Sequence, residues 1–320
     1  MDRSALYELN ELEKALRAEL GAKVLRQQPL ARHTSLRVGG PADLLVVAPN
    51  LEALRSSIAL ARKHGAPWRV LGGGCNVLVS DAGVRGLIVL NRARKVSFST
   101  EHPQVRAESG TILAMLARQC IERGWAGLEW AMGIPGTVGG AAIGNAGAWG
   151  SNMAAVLTAA TVLEPDGAER SWSPDQFGFQ YRSSAIKRAR QQSSPAEKVV
   201  ILDVELALQA GNRQQLQARA AEMTARRQAS QPAGATCGSV FKNPPGDYAG
   251  RLVEAAGLKG YRLGGAQISM QHANFILNDA HATASDVWAL VNRARDEVQA
   301  RFGISLELEI ELVGEWSGVI

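Results

Sequence analysis

The sequence has few cysteines, and none of its hydrophobic runs is long and free of charge. Its 320 residues include three cysteines, Cys75, Cys120 and Cys237, without C-x-x-C spacing. An odd and scattered set argues against a disulfide framework and favours a reducing, cytoplasmic location. The first 20 residues mix leucines with charges, which is not a signal-peptide pattern, and no run could span a membrane. Secretion and membrane insertion are therefore not expected.

Clustered charge and metal-binding spacings are also missing. The net charge of +5 comes from 35 Lys and Arg against 30 Asp and Glu, spread along the chain apart from a short patch at 187–190. Such a distribution disfavours nucleic acid and favours a small anionic ligand. The five histidines lack H-x-x-x-H and H-E-x-x-H spacing, so no metal site is predicted. No G-x-S-x-G motif supports a hydrolase triad.

Glycine, in contrast, is concentrated in two segments. These are LGGGCNVL at 71–78 and GIPGTVGGAAIGNAGAWG at 133–150. Because each glycine in a regular element costs roughly 0.5–1 kcal/mol, the two segments predict one large ligand that the backbone approaches closely. Residues Gly72–Asn76 follow a predicted strand and could form an anion-binding nest, although they match neither a P-loop nor a G-x-G-x-x-G motif. The alternative is a tight turn in which Cys75 is a small buried residue.

Four further residues have two interpretations each. Lys242, in the loop GSVFKNPPG at 238–246, could bind a phosphate or carboxylate or could lie in solvent. Arg182, in FQYRSS at 179–184, could face an anion or pair with a structural carboxylate. Glu309 could be the solvent face of an edge strand, and His272 could be structural or close to a ligand.

The pattern of hydrophobic residues predicts an α+β chain. A first helix ends near residue 20, a polar helical linker covers 211–230, and residues 95–209 read as a mainly antiparallel domain. The clearest elements are strands at Asp43–Pro49, Trp68–Gly72, Leu87–Leu90, Asn274–Leu277 and Ser305–Gly314, and helices at Leu51–Gly65, Thr111–Gly124, Tyr248–Ala256 and Ala284–Gly303. We expect an N-terminal helix at 1–20, two subdomains at 21–95 and 96–210, and a last domain at 211–320.

Seven segments in order resemble the UDP-N-acetylenolpyruvoylglucosamine reductases, flavoproteins of bacterial peptidoglycan synthesis. They are HTSLRVGGPAD, LGGGCNVLVSD, GIPGTVGGAAIGNAGAWG, FQYRSS, GSVFKNP, AGRLVEAAGLKGYRLGGAQISMQHANFILN and LELEIELVG, between about Leu30 and Glu315. The resemblance implies a two-subdomain FAD-binding region of the vanillyl-alcohol-oxidase type, followed by an α/β substrate-binding domain whose last strand returns to the active site. It also implies that NADPH reduces FAD and that UDP-N-acetylglucosamine enolpyruvate is then reduced to UDP-N-acetylmuramate.

The resemblance assigns site residues as well. It implies that Ser239 donates the proton, while Arg182 and Glu309 polarise the substrate carboxylate and stabilise the enolate; Glu309 would need a pKa raised by burial. The implied cofactor-binding residues are Gly72, Gly73, Gly74, Cys75, Asn76, Gly133, Pro135, Gly136, Gly139, Gly140, Asn145, Ala146 and Gly147. The implied substrate-binding residues are Tyr181, Lys242, Asn243, Gln267 and His272.

The chain departs from the family pattern at three positions. Cys75 stands where the family usually has Ser, and Gly144 and Trp149 stand where Met and Tyr are common. No tyrosine-bearing insertion is evident in the last domain, which fits the shorter family subtype. The remaining alternatives are a flavin oxidase with another substrate and a non-catalytic UDP-sugar-binding protein. We expect a cytoplasmic monomer that binds no nucleic acid.

Overall fold

Helices and strands are mixed along the whole chain, as the hydrophobic pattern predicts. The computed structural model describes residues 3–21, 24–192 and 198–316. The helices in these ranges are α1 Arg3–Leu20, α2 Leu51–Lys63, α3 Leu113–Glu122, α4 Val138–Ile143, α5 Pro174–Phe177, α6 Ala185–Gln191, α7 Arg213–Ser230, α8 Ala249–Ala255 and α9 Ala284–Phe302.

The strands are shorter and more numerous than the helices. They are β1 Leu25–Pro29, β2 Pro41–Ala48, β3 Trp68–Leu71, β4 Val77–Val79, β5 Val84–Asn91, β6 Val96–Phe98, β7 Gln104–Glu108, β8 Trp125–Ala126, β9 Gly147–Ala148, β10 Ser151–Asn152, β11 Leu157–Leu163, β12 Glu169–Trp172, β13 Val200–Ala207, β14 Gln209–Ala210, β15 Thr236–Ser239, β16 Arg262–Leu263, β17 Ala266–Ile268, β18 Phe275–Asn278 and β19 Glu311–Val313.

The chain forms two compact units, each built from separate stretches of sequence. Unit 1 contains the described residues of Met1–Val24, Val46–Gly73 and Val89–Arg227, and unit 2 those of Leu25–Leu45, Gly74–Ile88 and Gln228–Ile320. One four-stranded sheet has the order β1-β2-β5-β3. Strand β5 therefore lies between β2 and β3, which helix α2 connects along the chain. The predicted domain boundaries stay a prediction.

Unit 1 is built around an antiparallel sheet of five strands in the order β12-β11-β13-β7-β6. A turn at Asp166–Gly167 joins β11 to β12, with the Glu164 N–H donating to the Ala168 carbonyl at 2.9 Å. Helices α3 and α4 contribute apolar side chains to the same core as this sheet, including Leu116 and Val138. The antiparallel prediction for this part of the chain is confirmed.

Unit 2 combines a four-stranded antiparallel sheet, β15-β18-β17-β16, with helices α8 and α9. Helix α9 buries one face, which includes Val287, Leu290, Val291, Ala294 and Val298. It begins with a capping box formed by Thr283 and Asp286 and ends at Gly303. The core of unit 2 also includes Leu36, Val38 and Leu78, which come from the first quarter of the chain.

The predicted final strand at Ser305–Gly314 is wrong for its first half. The strand covers only Glu311–Val313, which pairs in parallel with β4. Residues before it pair irregularly with 240–242, through one bridge between Phe241 and Leu308. Leu306 and Ile310 are buried and Glu307 is exposed, whereas Leu308 and Glu309 are both half-buried. The pairing partner changes near Glu309, and this change interrupts a strand that hydrophobic alternation alone would continue.

Candidate functional site

The second glycine segment lies in unit 1 and leads into helix α4. Thr137 begins this helix, and its Oγ1 accepts a hydrogen bond from the Gly140 N–H at 3.5 Å. A Cβ added to Gly139 would lie 2.7 Å from Ser109 Cβ, and one added to Gly147 would lie 2.4 Å from the Ser151 carbonyl oxygen. These two glycines are therefore required by the protein's own packing.

Gly140 differs from these glycines because it is exposed and because an added Cβ would meet no close contact. A Cβ added there would meet no atom closer than Thr137 Oγ1, at 3.6 Å. Internal packing therefore gives no reason for a glycine at this position. A ligand that lies against the backbone would give one.

Asn145 connects the glycine segment to the loop that carries Arg182. Its side chain is buried, its φ is +42°, and its Nδ2 donates to the Gln180 carbonyl at 3.0 Å. Its Oδ1 accepts from the Ala154 N–H at 3.1 Å. Both ends of the amide thus bond to the protein backbone, which holds two predicted site segments of unit 1 together.

Arg182 and Tyr181 form the tip of a tight turn in unit 1. Gln180 and Ser183 exchange both backbone hydrogen bonds, at 3.0 and 3.1 Å. Arg182 has a φ of +54°, a conformation that is unusual for a residue with a side chain and that is enriched at functional sites. The Tyr181 side chain is 56% exposed, with the Arg182 Cζ 5.8 Å from its ring centre. The turn thus presents an aromatic ring and a guanidinium together.

Arg227 is a functional candidate that the sequence analysis missed. Burial lowers its pKa, and the positive charge of Arg182 lowers the pKa further. Its Cδ lies 3.4 Å from the position that a Cβ on Gly133 would occupy. The charges of Arg182 and Arg227 thus act on each other, and Arg227 lies beside the glycine segment, so these groups suit an anion. The only sequence signal was an arginine in the last turn of α7.

The first glycine segment is divided between the units. Gly72 belongs to unit 1, where a Cβ on it would lie 2.3 Å from Thr137 Oγ1. Gly74, Cys75 and Asn76 belong to unit 2. Asn76 Nδ2 donates to the Glu309 carbonyl at 3.0 Å, and the Asn76 carbonyl accepts from the Glu311 N–H at 3.0 Å. Asn76 therefore joins the predicted cofactor loop to the segment that carries Glu309.

Ser239 and Glu309 are brought together in unit 2 by backbone pairing. The Glu309 N–H donates to the carbonyl of Val240, the residue after Ser239, at 2.8 Å. Burial raises the pKa of Cys237 to about 12, and the negative charge of Glu309 adds to this increase. Two of the three predicted catalytic residues thus lie on paired segments, whereas Arg182 belongs to the other unit.

Lys242 and Asn243 follow directly in the same loop. The side chain of Lys242 is only 18% exposed, and its Nζ lies 3.0 Å from Glu307 Oε2. Its backbone N–H donates to the Glu307 carbonyl at 2.9 Å. Asn243 Oδ1 accepts from the Ala249 N–H at the start of α8, at 3.1 Å. The interpretation of Lys242 as a residue in open solvent is therefore wrong.

Gln267 lies on β17 of unit 2, and His272 lies in the loop between β17 and β18. Gln267 Nε2 donates to the Gly260 carbonyl, and its Oε1 accepts from Arg262, both at 3.1 Å. His272 Nδ1 accepts from the Asn274 N–H at 3.2 Å, and its ring lies 4.9 Å from that of Phe275. Both side chains are engaged with the protein itself.

His272 is expected to make stability depend on pH. Its burial, together with the nearby Lys259 charge, holds its pKa below the ordinary 6.5. As pH falls through about 6.5, the unfolded chain binds a proton that the folded chain does not. The free energy of unfolding that neutral His272 contributes above this pH is therefore lost below it. The thermal unfolding midpoint should therefore fall less between about pH 7.5 and pH 5.5 in His272→Gln than in the unchanged protein. His102→Gln, at an exposed histidine, is the control. Equal slopes in all three proteins would contradict the prediction.

Two absences apply to residues 3–21, 24–192 and 198–316. No helix there has both the length and the apolar character needed to cross a membrane. No group of three His, Cys, Asp or Glu side chains there could hold a metal ion.

Comparisons with known proteins match both halves of the chain. Residues 42–172 match a family model described as FAD binding domain, and residues 230–313 match UDP-N-acetylenolpyruvoylglucosamine reductase, C-terminal domain. UDP-N-acetylenolpyruvoylglucosamine reductase 2 of Symbiobacterium thermophilum is 44% identical over 91% of this chain and 92% of its own length. The reductase of Halalkalibacterium halodurans is 39% identical over 96% of this chain and 100% of its own.

A solved structure is similar across the same extent. The crystal structure of UDP-N-acetylenolpyruvylglucosamine reductase from Thermus caldophilus superposes with a TM-score of 0.75 at 37% identity. The match covers 91% of this chain and 98% of that one.

Proposed function

Because the chain belongs to the UDP-N-acetylenolpyruvoylglucosamine reductase family, we propose that Arg182, Ser239 and Glu309 carry its reaction. The chain is an FAD-dependent oxidoreductase that uses NADPH to reduce UDP-N-acetylglucosamine enolpyruvate to UDP-N-acetylmuramate for peptidoglycan synthesis. The predicted α+β fold, with an FAD-binding region of the vanillyl-alcohol-oxidase type, is confirmed. The residue roles are the proposal.

One glycine of the second segment, Gly140, fits contact with FAD. It is exposed, and a Cβ there would make only an ordinary van der Waals contact within the protein, with Thr137 Oγ1 at 3.6 Å. We propose that this backbone lies against the cofactor, with Arg227 supplying positive charge for a phosphate group. The other residues predicted to bind FAD are Gly72–Asn76, Gly133, Pro135, Gly136, Gly139, Asn145, Ala146 and Gly147. When bound, FAD supplies the hydride that it has received from NADPH.

A pair of glycine substitutions distinguishes a glycine required by internal packing from a glycine that contacts the cofactor. Gly139→Ala should lower the thermal midpoint with and without FAD, because the new Cβ meets Ser109. Gly140→Ala should keep or raise the midpoint of the FAD-free protein, since alanine favours a helix by up to about 1 kcal/mol. It should weaken FAD binding by about tenfold or more, equivalent to about 1.4 kcal/mol. FAD titration and thermal unfolding measure the two effects, and unchanged FAD affinity in Gly140→Ala would refute the proposed contact.

The substrate residues act where charge develops. Hydride addition to the far alkene carbon moves negative charge onto the neighbouring carbon and its carboxylate, as an enolate. Arg182 provides two parallel N–H donors for that carboxylate, and a protonated Glu309 would donate a further hydrogen bond. Ser239 then gives its hydroxyl proton to the enolate carbon. The raised pKa that this role needs at Glu309 stays a prediction.

One observation carries this assignment. The 2.8 Å hydrogen bond from the Glu309 N–H to the Val240 carbonyl ties the segment of Glu309 to the residue beside Ser239. General acid catalysis requires the proton donor and the group that stabilises the charge to share one reacting centre. We propose Lys242 and Asn243 for the substrate diphosphate, and Tyr181, Gln267 and His272 as further substrate contacts.

All three cysteines lie in the described part of the chain and none of them forms a disulfide, which fits a reducing location. Burial raises the pKa of Cys120, as it does that of Cys237, to about 12, which keeps both protonated and unreactive. We propose that the protein is a cytoplasmic monomer that binds no nucleic acid. Light scattering of the purified holoprotein would give its mass.

The direct test of function is the colour of the protein. The purified protein should be yellow with an FAD spectrum, NADPH should bleach it without oxygen, and UDP-N-acetylglucosamine enolpyruvate should restore the colour. A control with UDP-N-acetylglucosamine, which lacks the enolpyruvyl double bond, should leave it bleached. Bleaching by NADPH without recovery on adding substrate would contradict the function.

A further inference from the structure

Strand β15 contains one more residue than its partner strand just before Ser239. Thr236 pairs with Leu277 and Ser239 pairs with Phe275, so three steps along β15 match two along β18. Gly238, within this step, has a φ of +81°, in the left-handed region that favours glycine. Such a β-bulge changes the direction of the side chains that follow it. The orientation of Ser239 therefore depends on what fixes the chain after the bulge.

Asn274 fixes that chain with three hydrogen bonds. Its backbone carbonyl accepts from the Val240 N–H, its Oδ1 accepts from the Phe241 N–H, and its Nδ2 donates to the Phe241 carbonyl, each at 2.9 Å. The Asn274 side chain is 4% exposed. Because it offers a carbonyl and an N–H to the same residue, this amide replaces a neighbouring strand at the point where β18 has not yet begun.

The opposite edge of the same segment holds Glu309. The Val240 carbonyl accepts from the Glu309 N–H at 2.8 Å, and Phe241 forms its bridge with Leu308. The Val240–Phe241 segment thus lies between Asn274 on one edge and Glu309 on the other.

We propose that Asn274 is a positioning residue for the Ser239 and Glu309 pair. Its side-chain amide fixes the Val240–Phe241 segment and so sets both the direction of Ser239 and the distance to Glu309. This inference rests on the roles proposed above for Ser239 and Glu309. A displacement of about 1 Å at such a pair can slow a reaction about 100-fold.

The test is Asn274→Asp in the FAD-loaded full chain. The new carboxylate keeps the shape and the acceptor but loses the donor to the Phe241 carbonyl. Substrate-dependent reoxidation of the flavin should slow by about 10- to 100-fold at saturating substrate. NADPH-dependent reduction should stay within about twofold, because the change acts on the protonation step. Amide hydrogen exchange at Phe241 and Glu309 should become faster.

Asn278→Asp is the matched control. Asn278 is the last residue of β18 in unit 2, where its Nδ2 donates to the Leu36 carbonyl at 3.1 Å and its Oδ1 accepts from the Ala282 N–H at 2.8 Å. Asn278→Asp therefore replaces the same side-chain amide by a carboxylate but leaves the bonds to the Val240–Phe241 segment unchanged. Both half-reactions of Asn278→Asp should match those of the unchanged protein after correction for FAD content.

A double variant separates positioning from general damage. In a Ser239→Ala background, Asn274→Asp should slow reoxidation far less than it does alone, because both changes act on one step. Equal slowing of both half-reactions, or losses that multiply in the double variant, would overturn the inference. If Ser239→Ala alone does not slow reoxidation, the proposed function fails. If it does and Asn274→Asp does not, only the positioning role fails.

Discussion

Ser239→Ala is expected to slow substrate-dependent reoxidation of the flavin by about 100- to 10,000-fold, the usual contribution of a general acid. NADPH-dependent reduction should stay within about twofold, because no proton passes to a substrate carbon in that half-reaction. Stopped-flow absorbance of the flavin measures both rates. The two rates report on one cofactor, so loss of FAD would lower both amplitudes rather than one rate.

The control for this prediction is Ser305→Ala. Ser305 is an exposed serine of the same unit, and its Oγ bonds Gln299 Oε1 at 2.8 Å. It should leave both half-reactions unchanged. An equal loss of both rates in Ser239→Ala would exclude a specific proton-donor role and would indicate damage to the site as a whole.

Arg182→Lys is expected to slow reduction of the substrate by about 100-fold, while NADPH-dependent reduction stays within about threefold. Lysine keeps the positive charge but loses the planar pair of donors that matches a carboxylate. The lysine ammonium also carries its charge at a single point, whereas the Arg182 guanidinium beside Tyr181 is planar and spreads its charge. The measurement is again stopped-flow absorbance of each half-reaction.

Arg170→Lys gives the matched control for this change. Arg170 pairs with Asp166 on the surface of the same unit, where the side chains are 50% and 55% exposed. An exposed pair of this kind contributes little, so both rates should equal those of the unchanged protein. Wild-type reoxidation in Arg182→Lys would mean that charge alone is sufficient and that the bidentate contact is not used.

Elements whose pattern is local are predictable from the sequence. The spacing of apolar residues within a single stretch of chain predicts helices α9 and α2. The break near Glu309 escaped prediction because the alternation of side chains continues through it. Only the change of partner, from Val240–Lys242 to β4, interrupts the strand.

The candidate site was only partly predictable for the same reason. Gly139 and Gly147 appeared to require a ligand, yet atoms of Ser109 and Ser151 occupy the space that a Cβ would need. Arg227 escaped attention because its importance depends on Arg182, which lies far away in sequence. Tertiary neighbours decide these cases, and a single sequence does not contain them.

The place of Leu78 in the core of unit 2 has a consequence for synthesis of the chain. Its core partners, and the strand β19 that pairs with β4, come almost entirely from the last third of the sequence. During translation, Leu78 and the edge of β4 therefore stay exposed until the chain is nearly complete. A premature stop before residue 311 would leave that edge permanently open, and edges of this kind promote aggregation.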